Sequence, residues 1–340
     1  MPKLTPLHTV RRSLPTPGHH TLWLRYRAPY HWPSTLAFLA ARCIPGIETC
    51  FDGTYRRTLV VAGRHAVLHA TPSGSQHLRV RLEGVPALAL PGLIARLRRV
   101  FDLDADPARI TADLSRDPLM ARLLQERPGL RVPQGWDPCE QAVRTVLGQQ
   151  VSVAGAMTLA GRLVQRHGVA LRRPAPGLSH VFPALPVLAA AQFDGLGMPR
   201  ARAATLGTLA SALLAEPGLL RRGQVLDELL RNLCQLKGIG PWSAHYLALR
   251  QAGAADALPL GDVALVKALR LLEGDGAQLA QRALAWRPWR AYAAQHLWAS
   301  LGPAGTTRRQ VCHCVRTPRA GKQSSTKVLE DSLPDHCPGV

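Results

Sequence analysis

Lysine is nearly missing from this chain. Of 42 basic side chains only five are lysines, at Lys3, Lys237, Lys267, Lys322 and Lys327. The others are arginines, whose planar guanidinium suits two-pronged phosphate contacts; GC-rich coding is the alternative source of that bias. Acid is scarce as well. The 22 acidic residues leave a formal net charge of +20 over 340 residues, a balance that favours polyanions and says little about fold. Residues 1–20 and 305–340 each carry +3, so +14 stays on the body. The seven cysteines are odd in number and scattered, which argues against a secreted disulfide framework and points to a reducing, cytoplasmic setting. Met1-Pro2-Lys3-Leu4-Thr5 holds no apolar signal core. No long uninterrupted apolar run exists, so no membrane-spanning helix is expected. No long-period repeat is visible. Cys312-His313-Cys314 with His336-Cys337 has the wrong spacing for a common zinc finger.

What is present reads as a globular chain, 46% hydrophobic, with length for two or three domains. Residues 1–20 form a flexible leader rich in Pro, His and Thr. Residues 21–108 read as a mixed α/β unit: a strand at 21–27, a helix at 32–43 opened by Pro33, and strands at 54–62, 66–70 and 77–82. From there to residue 304 the pattern is helical. Asp137-Pro138-Cys139-Glu140 carries a helix-start signature. Further helices are expected at 153–167, 199–215, 227–236, 242–251, 262–272 and 289–301, with an irregular proline-rich loop at 172–186. Residues 305–340 are expected to be disordered.

The run Leu236-Lys237-Gly238-Ile239-Gly240-Pro241-Trp242 lies between two amphipathic helical stretches. Gly238 and Gly240 allow φ > 0 and close approach of a phosphate to backbone N–H groups, while Ile239 anchors the turn. Downstream, Asp262 stands at the start of a helical pattern. Alone it reads as an N-cap. A carboxylate there can equally stabilise the oxocarbenium-like charge of a breaking N-glycosidic bond and orient a water. Trp242 and Tyr246, spaced i, i+4, share a helix face. They read either as core packing or as walls for an electron-poor base, each ring worth about 0.5–2 kcal/mol by cation–π attraction.

The hairpin resembles the helix-hairpin-helix motif of the DNA glycosylase superfamily, and the likeness extends over about residues 20–303. Pro29-Tyr30-His31-Trp32, Phe38-Leu39-Ala40-Ala41-Arg42, Phe101-Asp102-Leu103, Arg127-Pro128-Gly129-Leu130-Arg131, Leu147-Gly148-Gln149-Gln150-Val151-Ser152-Val153-Ala154, Leu196-Gly197-Met198-Pro199, Trp286-Arg287-Pro288-Trp289-Arg290 and His296-Leu297-Trp298 occur in the order of the 3-methyladenine DNA glycosylase II type. The resemblance implies an α+β N-terminal domain followed by an all-α helix-hairpin-helix glycosylase core of two lobes. It implies excision of alkylated purines from duplex DNA by base flipping, with Asp262 catalytic and Asp256 a loop or cap residue. Trp242, Tyr246, Trp298 and Phe38 would line the base pocket, with Ala264 and Phe38 setting its width. Gly238, Gly240, Lys237, Gln149 and Gln150 would contact DNA, with Gln150 filling the vacated stack unless it is merely a solvent-exposed turn residue.

Relatives that cut the strand place a Schiff-base lysine where Trp242 stands, and others carry four clustered cysteines that this chain lacks after Asp262. The resemblance thus implies a monofunctional enzyme. No cofactor is implied beyond a structural monovalent cation on the backbone carbonyls of Cys234, Leu236 and Ile239. The expected setting is the cytoplasm, on a bacterial nucleoid, with the protein a monomer and no membrane partner. Two other readings stay open: a non-catalytic helix-hairpin-helix protein that binds damaged DNA, and a glycosylase for oxidised or deaminated bases.

Overall fold

The structure, a computed structural model, describes residues 18–302. The leader up to residue 17, the expected disordered tail and the Cys312-His313-Cys314 cluster lie outside the described residues.

Alternation of apolar and polar residues builds a five-stranded antiparallel sheet in the order β1-β5-β4-β3-β2. Its strands are β1 (His19–Arg25), β2 (Glu48–Phe51), β3 (Thr54–Val61), β4 (Arg64–Ser73) and β5 (His77–Glu83). β1 begins at His19, inside the stretch read as leader, because its register with β5 runs from His19–Glu83 to Arg25–His77. The inner face, with Leu22, Leu24, Tyr55, Leu68, Val80 and Leu82, shares one core with α1 (Trp32–Ala40) and α2 (Leu90–Val100).

A helical region follows: α3 (Pro107–Leu114), α4 (Pro118–Glu126), α5 (Pro138–Leu147), α6 (Val153–His167), α7 (Leu185–Ala190), α8 (Arg200–Ala215), α9 (Leu226–Cys234), α10 (Pro241–Leu247), α11 (Val263–Glu273), α12 (Leu279–Arg282) and α13 (Arg290–Ser300). Capping chemistry sets several starts. Asp106, Asp117, Asp137, Ser152 and Asp262 each accept the amide three residues on. No described helix is long and apolar enough to cross a membrane.

The stretch read as an irregular loop contains an antiparallel ribbon, β6 (Val169–Ala175) and β7 (Leu178–Val181). Leu171, Leu178 and Val181 pack with Val67 of the sheet, and Thr58 Oγ1 donates to the His180 carbonyl at 2.7 Å. Pro174 and Pro176 hide the alternation, yet Pro174 is tolerated because a two-stranded ribbon is all edge.

Sheet and helices meet at a buried ionic quartet. Arg57 of β3 binds Glu140 of α5 at 2.6 Å and Glu48 of β2 at 3.5 Å; Arg144 of α5 binds Glu140 at 2.7 Å and also Glu48. Burial alone would raise the Glu140 carboxyl, but Arg57 and Arg144 hold it at about 2. Glu140 therefore serves the junction and not a capping box. A carboxylate depressed on folding stabilises above its unfolded value and loses that contribution as pH falls through the folded one. Glu140→Gln leaves Arg57 and Arg144 short of a partner and is expected to cost about 3–5 kcal/mol at pH 7 in denaturant titration. The gap to wild type should narrow between pH 5 and 2; a pH-independent gap would show that the charge is not what the site needs.

Candidate active site

The hairpin forms where the pattern places it. α9 ends at Cys234, the turn carries Gly238 with φ +88°, and Gly240 precedes α10 in extended backbone. Gly238 is doubly required. A Cβ there would lie 1.9 Å from Thr205 Oγ1 of α8, and the positive φ is costly for any other residue. Ile239 is buried, 4% exposed, whereas Lys237 and Gly240 are open to solvent. Gln149 does not face outward alone. Its amide donates to the Gly238 carbonyl and to Ser243 Oγ, both at 2.9 Å, and its own carbonyl accepts from Arg202. Gln150 is exposed with φ +55°. Of the three carbonyls that would hold a cation, that of Leu236 also accepts the Ile239 amide at 3.0 Å, leaving it a second lone pair. An uncharged all-oxygen set of this kind suits a hard monovalent ion.

Asp262 caps α11 through Oδ1, which accepts the Leu265 amide at 3.0 Å. The same oxygen accepts Trp298 Nε1 at 3.0 Å, and Oδ2 accepts Trp242 Nε1 at 2.9 Å. A carboxylate offers about four lone-pair sites. Three are taken, and the free one is on Oδ2. Asp262, Trp242, Tyr246 and Trp298 are all half-buried.

Trp242 and Tyr246 stack directly, centroids 5.3 Å apart at 11°, and Trp298 meets Tyr246 edge-on at 6.1 Å. A third ring needs about 3.5 Å on each side, so no base fits between Trp242 and Tyr246. The pair forms one wall rather than a sandwich.

After α10 the chain widens into a π-helical turn, Ala248–Ala252, a feature often found at functional sites. It carries Arg250, 2% exposed, beneath the rings. The guanidinium lies 4.3 Å from the Phe38 centroid, 5.1 Å from Trp298 and 5.6 Å from Tyr246. It donates to the Pro133 carbonyl and to Gln295 Oε1, and its Nε has no partner among the described residues. Burial brings Arg250 down to about 10. Arg42 lies 4.0 Å from the Phe38 ring. For the Tyr246 phenol, burial pushes upward, but Arg250 and Arg42 outweigh it and the net shift is downward.

Asp262, Trp242, Tyr246 and Trp298 thus converge, and Phe38 joins them through Arg250. Lys267 is exposed. Asp256 is engaged elsewhere, paired with Arg290 at 2.7 Å and Arg287 at 3.1 Å. Sequence reading passed over Arg42 and Arg250 as pocket residues. Their signal is spacing, since each follows an aromatic expected at the pocket, Phe38 or Tyr246, by four residues.

Residues 21–137 match the family model described as the AlkA N-terminal domain. The chain is similar to the "Probable bifunctional transcriptional activator/DNA repair enzyme AlkA" of Mycobacterium tuberculosis, 38% identical over 289 residues, 84% of this chain and 58% of that protein. It therefore spans a little over half the length of that relative. It is 36% identical over 283 residues to "DNA-3-methyladenine glycosylase 2" of Escherichia coli, 82% of this chain and 97% of that one. Among solved structures, the 3-methyladenine DNA-glycosylase of Archaeoglobus fulgidus superposes with a TM-score of 0.71 at 19% identity, covering 81% of this chain and 96% of that chain. The 8-oxoguanine glycosylase/lyase of Clostridium acetobutylicum, in complex with double-stranded DNA, does so at 0.67 and 16%, covering 86% and 97%. These two likenesses concern the fold.

Gly238→Ala is expected to destabilise the protein by roughly 2–4 kcal/mol, from positive-φ strain and overpacking. Thr205→Gly removes the collision but not the strain. A double-mutant cycle by thermal melting should therefore show about 1–2 kcal/mol of favourable coupling. Strict additivity would mean that the two residues do not meet.

Proposed function

The chain belongs to the DNA-3-methyladenine glycosylase 2 (AlkA) family, and on that premise we propose that it is a monofunctional DNA glycosylase of base excision repair, releasing 3-methyladenine and related N-alkylated purines from duplex DNA. The observation that carries this reading is the Asp262 carboxylate, oriented by two indole N–H groups and an amide, with one acceptor site left on Oδ2.

The reaction needs little else. An alkylated purine is cationic and leaves with the electron pair of its N-glycosidic bond as a neutral base, so no acid has to protonate it. Positive charge then grows on the deoxyribose, where a fixed carboxylate stabilises it. Water adds at C1′ and gives up its proton, and the free acceptor of Asp262 Oδ2 is suited to orient that water. The flipped base stacks on the Trp242–Tyr246 wall, with Trp298 edge-on beside it. Gln150, exposed in its strained turn, fills the gap left in the duplex. Lys237, with the backbone of Gly238 and Gly240, grips a backbone phosphate. A monovalent cation on the carbonyls of Cys234, Leu236 and Ile239 would add positive charge at that grip.

The strand is left uncut, because Trp242 occupies the position where strand-cutting relatives are implied to carry a lysine; Lys237 and Lys267 are exposed. A protein that only binds DNA has no need of a carboxylate held with one open acceptor.

Chromatography of bases freed from methylated DNA tests the reading. Wild type should release methylated purines, and Asp262→Asn should release them about 10²–10³-fold more slowly or worse while still binding DNA. Undiminished release by that variant would sink the assignment. Borohydride should trap no covalent enzyme–DNA adduct; a trapped band would overturn the monofunctional reading.

A further inference from the structure

The outer face of the sheet has no role in that chemistry. Period-two alternation puts Thr21, Trp23 and Arg25 of β1, His77, Arg79, Arg81 and Glu83 of β5, Val67, His69 and Thr71 of β4, and Arg56 and Thr58 of β3 on this side. The pairings make rows across the strands. One runs Thr21–Arg81–His69–Arg56–Thr49; another runs Trp23–Arg79–Thr71; Arg25 pairs with His77. The β6–β7 ribbon covers the corner at Val67, Thr58 and Thr49, with Gly177 of its turn packed against Thr49.

The uncovered part is strongly basic. Its one acid, Glu83, is shared between His69 at 3.4 Å and Arg81 at 3.7 Å. Arg25 and Arg79 are exposed and make no ion pair among the described residues; Arg56 makes none either, but it is half-buried, with its Nε out of reach of solvent. His69 registers the field: burial lowers it, and Arg56 and Arg81 lower it further against the pull of Glu83. Side-chain patterning on a sheet of this kind normally mixes charges of both signs.

This face looks away from the lesion pocket. α1, which carries Phe38, packs with Leu22, Leu24 and Leu68 on the opposite, inner face.

We propose that the outer face is a second DNA-binding surface, which takes the phosphate backbone of another duplex segment while the pocket side holds the first. Its chemistry is that of exposed guanidinium groups in excess over the single acid meeting phosphate, without base readout. The pocket half rests on the glycosylase reading; the sheet half rests on charge alone. With two surfaces, the protein passes directly from one duplex to another through a bridged intermediate, and free DNA speeds its departure from bound DNA.

The experiment is stopped-flow dissociation of the full chain from a labelled, undamaged duplex, against rising concentrations of unlabelled duplex. For wild type the rate should climb in proportion to competitor. For Arg25→Gln/Arg79→Gln/Arg81→Gln it should be flat, and the log–log salt slope of the bridged state should fall by about 0.9 for each lost phosphate contact. Arg25→Lys/Arg79→Lys/Arg81→Lys keeps the charge and should keep the climb. All three proteins should release bases at the same single-turnover rate. A flat wild-type response overturns the proposal, as does a glutamine variant that behaves like wild type or a lysine variant that fails with it. Competitor-driven transfer without any base release would remove the glycosylase reading and leave the second surface standing.

Discussion

Everything at the candidate site hangs on how the Asp262 carboxylate is held. Its three hydrogen-bond donors come from three helices: Trp242 of α10, Leu265 of α11 and Trp298 of α13. All three are neutral N–H groups. A salt bridge would hold the carboxylate as firmly, but it would cancel the charge that the proposed reaction sets against a growing oxocarbenium ion. Indole donors orient without neutralising. A buried cation beside this cluster, Arg250, donates to the Pro133 carbonyl and to Gln295 rather than to Asp262. Holding donors in place beforehand is what makes such stabilisation effective, since nothing reorganises as charge develops.

The same pocket carries a tension. Arg250 and Arg42 lie against Phe38, and Arg250 lies close to Tyr246 and Trp298. A cationic base stacked on those rings gains about 0.5–2 kcal/mol per contact. A guanidinium about 7 Å away opposes it by roughly 2 kcal/mol at an effective dielectric of 20. The two effects are of one size, so attraction between ring and cation does not by itself favour an alkylated purine over a neutral one. On the proposed reaction, discrimination then falls to the bond: a cationic base leaves readily and a neutral one does not.

Much of this was legible beforehand, and the line between legible and hidden is physical. The hairpin, the Asp137-Pro138 helix start and the cap at Asp262 are local, written in residues a few positions apart, and they appear in place. The convergence of Trp242, Tyr246 and Trp298 on Asp262 came from resemblance, because no local pattern links residues 36 positions apart. What stayed hidden depends on distant partners. Pairing across a turn makes the β6–β7 ribbon despite its prolines. Direct stacking of Trp242 on Tyr246 follows from a shared helix face, but the face alone does not say whether rings touch or leave a slot. Arg250 reads as a surface arginine in one dimension, and only the π-helical turn and the α13 contacts make it internal.

These long-range contacts also explain how a sheet remote from Asp262 can steady the site. α5 is fastened at its start by Glu140 to Arg57 of β3, and α5 residue Arg144 is tied to Glu48 of β2. Just past its other end, Gln149 grips Gly238 and Ser243 in the hairpin. Ser243 is the neighbour of Trp242, whose indole holds Asp262. A helix is stiff along its axis, so a shift at the ionic quartet is delivered to the hairpin rather than absorbed on the way. A salt bridge buried this deeply gives little net stability over an apolar contact of the same shape. What it adds is a single docking angle, because two forked guanidinium groups and two carboxylates satisfy one another in one arrangement only. The sheet contributes to the site by setting where the hairpin stands, without touching it.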